Sequence, residues 1–148
     1  MKKLILLAMF VVMGLAFAKP EAPEYILNQY EKARCMHDAA GGMGQDICSF
    51  TDCCEPGCPG YNTYSEMGNE LLDLMSSMED QNYPMVAQQY AYIVSLFSEM
   101  RGMYLQYGIE YVLGLGPQGS MGELMNSFAG YQGRLLGCFG GGGEVPPP

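Results

Sequence analysis

The chain has no tryptophan, one histidine, and only seven basic residues against 16 acidic ones in 148. Each shortage excludes a class of function. Scattered, scarce cations cannot track a phosphate backbone, so nucleic acid is not an expected partner. A lone histidine, His37, leaves little for a metal site, and no C-x-x-C spaces two thiols for thioredoxin-type exchange. G-x-S-x-G, H-E-x-x-H, an EF-hand loop and an N-x-[ST] sequon are all missing. The run Gly140 to Gly143 lacks the Lys and Ser/Thr of a phosphate loop. No catalytic residue, metal or cofactor is therefore expected.

Long apolar runs are scarce as well. The stretch 90–113 is interrupted by Ser95, Ser98, Glu99, Arg101, Gln106 and Glu110, so it cannot cross lipid without burying charge. The other apolar run is the opening, MKKLILLAMFVVMGLAFAKPE, which is shorter than the roughly 20 residues a membrane span needs. Lys2 and Lys3 supply a positive start, Leu4 to Leu15 the apolar segment, and Ala16-Phe17-Ala18 a small-residue cleavage site. Residues 1–18 read as a secretory leader whose removal lowers the formal net charge from −9 to −11, because both lost charges are lysines. Residues 19–138 are then one domain, extracellular and without a membrane span, and 139–148 a disordered Gly/Pro-rich tail.

What the chain does have is cysteine. Cys35, Cys48, Cys53, Cys54, Cys58 and Cys138 all lie beyond the leader, and an even count in a small secreted chain reads as a set of disulfides. Zinc at Cys54, Cys58 and His37 would compete with oxidation outside the cell, so disulfides are the expectation. Cys53 and Cys54 are neighbours and pair poorly with each other, so each is expected to reach a different part of the chain. Cys138 has no neighbour after Cys58. If all six are oxidised it reaches back across roughly 80 to 100 residues, a closure worth about 4 to 5 kcal/mol on the chain-entropy account.

Around these cysteines the apolar period is helical. The spacing predicts helices over 23–40, stopped at Gly41-Gly42, and over 65–79, capped by Ser65. It predicts a third over 84–107, started by Asn82 and Pro84, and a fourth over 120–137, started by the capping box Ser120 to Glu123. Residues 109–113 fit either an extension of the third helix or a short extended segment. His37 falls near the end of the first helix, where it suits the helix dipole better than a catalytic base. The fold class is all-α: a four-helix, disulfide-stapled domain with an irregular Cys/Pro/Gly-rich loop between helices one and two.

Thirteen methionines and 11 tyrosines accompany 20 glycines, and Gly102, Gly130 and Gly133 fall inside predicted helices. Each costs roughly 0.5 to 1 kcal/mol against alanine, so close packing or the disulfides are expected to offset them. Methionine fills irregular gaps and also lines adaptable binding surfaces. The main functional expectation is an acidic, non-catalytic extracellular-matrix component that meets matrix polymer or mineral, with diffuse attraction for calcium open. The alternative is a carrier of a small apolar ligand in a cavity lined by Met75, Met78, Tyr90, Phe97, Met100, Tyr104, Met125 and Phe128. A third is a secreted effector presenting the loop 48–58.

Overall fold

The computed structural model describes residues 22–139, so the expected leader and the stretch 140–148 lie outside the described residues. Four helices fill that span, and no strand occurs among the described residues: α1 (Glu24–Thr51), α2 (Tyr61–Glu79), α3 (Tyr83–Gly114) and α4 (Met121–Phe139). A short 3₁₀ turn at Gly116–Gln118 joins the last two.

The first helix starts as expected. The Pro23 carbonyl accepts from the Ile26 and Leu27 amides at 2.9 and 3.1 Å, and Glu24 stands at the positive end of the helix dipole. It does not stop at residue 40. The buried stripe Ile26, Ala33, Met36, Ala40, Met43, Ile47 runs at spacings of seven, three and four straight through Gly41-Gly42. These glycines receive neighbours instead of ending the helix. A Cβ on Gly42 would lie 2.6 Å from Cε1 of the Tyr131 ring on α4, and one on Gly41 would lie 3.2 Å from the Tyr64 hydroxyl on α2. The real stop is Asp52, in the left-handed region at φ 52°, where the Cys53 amide turns back to the Cys48 carbonyl at 3.3 Å. His37 is consequently a mid-helix residue, and its ring stacks on Tyr64 at 4.8 Å.

The irregular loop spans 52–60 and ends at Gly60, whose φ of 81° opens α2 four residues before Ser65. In α3 the expected start holds, with Met85 and Val86 amides both reaching the Asn82 carbonyl at 3.1 Å. Its end moves from 107 to Gly114, which settles residues 109–113 as helix. Gly108 fails to break it for the reason Gly42 fails to break α1. Its missing Cβ, which would stand 2.6 Å from Leu124 Cδ1 and 3.2 Å from Phe50, lets α4 and α1 close on α3. For α4, Ser120 Oγ accepts from the Glu123 amide at 3.1 Å as the capping box requires, and the helix carries on through Phe139.

The core lies between α1, α2 and α3. Met36, Met43, Met67, Leu74, Ile93, Phe97, Met100 and Tyr104 are fully buried there, each such large side chain contributing about 1.5 to 3 kcal/mol. Thr63 donates to Glu99 at 3.0 Å and Tyr92 donates to Glu66, which fixes α2 against α3 along the surface. Helix α4 lies mainly against α1. It inserts Leu124, Tyr131, Leu135 and Phe139, and the Cys35–Cys138 disulfide ties its end to the middle of α1 across 103 residues. Near the same seam Arg101 of α3 is buried over the Phe97 ring at 5.5 Å. The Gln132 amide, turned with its oxygen inward, accepts from it at 3.1 and 2.6 Å.

The expected offset for interior glycines holds only in part. Nothing comes within 4 Å of the missing Cβ at Gly102, Gly130, Gly133 or Gly137. Close packing compensates none of these four, and in α4 the burden falls on the disulfide and the aromatic contacts.

Candidate binding recess

Because α1 runs to Thr51, its last two turns carry Asp46 and Phe50 up to the junction of α3 and α4. There, beside the 3₁₀ turn, lies a recess of about 300 Å³. Tyr104 of α3 forms its floor. Phe50 meets the Tyr104 ring edge-on at 5.7 Å and the Tyr111 ring, tilted, at 5.2 Å. Leu124 and Ser127 of α4 close the opposite side, and Leu115, Gln118 and Glu123 stand at the exposed rim.

The polar groups converge on one side. Tyr131 donates to Asp46 Oδ2 at 2.7 Å, a bridge between α1 and α4 made possible by Gly42 beneath the ring. The Tyr104 hydroxyl is fully buried and has no hydrogen-bond partner. Asp46 and Ser127 are near enough to act on its titration, yet neither reaches it in hydrogen-bond geometry. An unpaired buried hydroxyl costs on the order of 1 to 3 kcal/mol, so a group placed against it gains that back. Burial first, and the Asp46 charge second, push the Tyr104 phenol up to about 12. Burial and the hydrogen bond to Asp46 raise Tyr131 as well. Both rings therefore keep their protons at neutral pH.

Other hollows lie among the described residues. Met75 and Met78 line one of about 260 Å³ with Leu27, Tyr30 and Ala22, at the start of α1. Another, about 390 Å³, lies at the loop and is lined by Cys48, Cys54, Gly60, Tyr61 and Tyr64. Here the cysteines depart from a fully paired set. Cys53 pairs with Cys58, a clip within the loop, while Cys48 and Cys54 stand as thiols. A hydrogen bond between them, with burial, pushes the Cys48 thiol up to about 11. Among the described residues no three His, Cys, Asp or Glu side chains gather where they could hold a metal ion, and no helix is long and apolar enough to cross a membrane.

The eight residues expected to line one cavity are dispersed. Phe97 and Met100 are solid core, Tyr90 packs partly buried against it, and Met125 is exposed. Met75 and Met78 face the hollow at the other end of the bundle. Only Tyr104 reaches the recess, with Phe128 stacked on its far side at 5.9 Å. Ending the first helix at residue 40 hides Asp46 and Phe50, whereas Ser127 falls inside the expected fourth helix but off its apolar stripe. The signal that finds the first two is the continuation Met43, Ile47, Phe50 at helical spacing beyond the glycine pair. No family model, no curated protein and no solved structure matches this chain.

Proposed function

We propose that this chain is a secreted, non-catalytic binding protein that carries a small amphiphilic molecule in the recess between α1, α3 and α4. The observation that carries this reading is the Tyr104 hydroxyl, buried without a hydrogen-bond partner beside a hollow whose apolar walls, Phe50, Val112, Leu115 and Leu124, are matched by about as much polar surface. Small-ligand sites combine such walls with a few converging polar groups. Native mass spectrometry of protein recovered from its natural secretion tests it. A released small molecule, retained by the parent and lost when Leu124→Trp fills the recess, supports the reading. Protein that is empty, and that binds an apolar dye no differently after Leu124→Trp, contradicts it.

Secretion is supported by the leader pattern and by the two disulfides. In that setting Cys48 and Cys54 close as a third bridge. Exchange with a low-molecular-weight disulfide takes two electrons and two protons from the thiols and returns two small thiols. A peptide map of unreduced protein should contain the Cys48–Cys54 linkage; alkylation of both residues without prior reduction would exclude it.

A matrix role is the second reading, favoured by the exposed rings of Tyr25, Tyr61, Tyr64, Tyr92 and Tyr111 on an acidic surface. Recovery of dityrosine-linked protein from an insoluble secretion would support it, and fully extractable monomer would count against it.

A further inference from the structure

Resting on the ligand reading of the recess, we infer that the group it takes is a protonated amine on a short aromatic or apolar body. The lining contains two carboxylates, Asp46 and Glu123, and no Lys, Arg or His. Arg134 lies over the Tyr131 ring at 4.7 Å and is not part of the lining. An anion entering this hollow meets two like charges and no counter-charge.

An ammonium head is matched on three counts. It carries three donors and no acceptor, and the lining offers it the Asp46 carboxylate and the Ser127 hydroxyl beside Tyr104, whose buried oxygen has no hydrogen-bond partner. Tyr131 occupies Oδ2 of Asp46, which holds the carboxylate in place and leaves it further lone pairs. The faces and edges of Phe50, Tyr104 and Tyr111 surround the hollow, and aromatic rings attract cations once water is displaced. A neutral alcohol can still satisfy Tyr104, but it leaves the Asp46 charge beside it unanswered. A metal ion is a poor fit, because among the described residues no three His, Cys, Asp or Glu side chains gather to hold one, and the lining brings only two carboxylates. At about 300 Å³ the recess is at the small end of ligand sites. That size suits an arylalkylamine and excludes a long lipid chain.

The test uses the disulfide-intact full chain with three probes of one shape: phenethylamine, phenethyl alcohol and hydrocinnamate. Titration calorimetry reads affinity, and amide chemical shifts read location. The amine should bind about tenfold or more tighter than the alcohol, with shifts at Phe50, Tyr104 and Ser127, and the carboxylate should not bind. Asp46→Asn, which keeps an acceptor for Tyr131, should bring amine affinity down to that of the alcohol and leave the alcohol unchanged. Glu123→Gln at the exposed rim should weaken the amine by a smaller factor, and serves alone if the first variant does not fold. Equal or tighter binding of the alcohol or carboxylate overturns the amine assignment while the carrier reading stands. Failure of all three probes to bind overturns both.

Discussion

The adjacent glycines Gly41 and Gly42 of α1 and the glycines Gly130, Gly133 and Gly137 of α4 do opposite things. In α1, Gly41 and Gly42 are seats for the rings of Tyr64 and Tyr131: the approach at Gly42 leaves no room for a Cβ, and that at Gly41 leaves it a tight fit, which offsets their conformational cost. In α4, Gly130, Gly133 and Gly137 face open space. They contribute only their cost, roughly 0.5 to 1 kcal/mol each. One helix is thus made by packing. The other depends on a covalent tie at Cys138, the Tyr131–Asp46 hydrogen bond and four inserted apolar side chains. The recess lies where the packed part meets the tethered part, so the side that carries Ser127 and Leu124 is also the side most easily displaced.

That contrast can be broken most directly at sulfur. Replacing Cys35 and Cys138 together by serine removes a closure worth about 4 to 5 kcal/mol, and the denaturant midpoint should fall sharply while the helical signal of α1 to α3 survives at low denaturant. Phe97→Ala should cost about 3 to 5 kcal/mol, and it should lower the stability of all four helices together because Phe97 is central to the core. Gly42→Ala places a methyl group against the Tyr131 ring and should destabilise by about 1 to 3 kcal/mol, with the loss concentrated in the α1–α4 contact. Gly133→Ala is the sharpest complement. On an open face of α4 it should stabilise by about 0.5 to 1 kcal/mol, the opposite sign from the same change in α1.

Alkali gives the gentlest test of the same contrast. Tyr104 and Tyr131 both titrate above the ordinary tyrosine value of 10.0 in the fold. A raised folded pKa means stability that is complete below about 10 and is lost as the pH climbs through the folded value, about 12 for Tyr104. The melting temperature should hold to about pH 9 and fall above 10, with tyrosinate absorbance lagging that of free tyrosine. Tyr131→Phe removes the hydrogen bond to Asp46 and should shrink this alkaline fall. An equal fall in the variant would place its origin elsewhere.

Much of this architecture was legible in the sequence. Four helical stripes, the Ser120 capping box, the loop of turn formers and the long reach of Cys138 follow from local chemistry that tertiary contacts do not override. The helix ends were harder, for one shared reason. Gly41-Gly42 and Gly108 resemble stops when only backbone freedom is weighed, and become packing sites once Tyr131 and Leu124, far along the chain, come to rest on them. The same misplacement concealed Asp46 and Phe50. The composition of the recess also differs from a methionine-lined cavity: Met36, Met43, Met67 and Met100 are fully buried in the core, Met75 and Met78 line a separate hollow, and the recess is lined by aromatic, aliphatic and acidic side chains.

Amide hydrogen exchange, followed residue by residue with and without a reductant that opens Cys35–Cys138, tests whether α4 is held by its tether. The account predicts that reduction removes protection from α4 and from the end of α3 that borders the recess, while the buried turns of α1 and α3 around Met43 and Phe97 stay slow. Unchanged protection in α4 after reduction, or loss of protection throughout the chain at once, would contradict it.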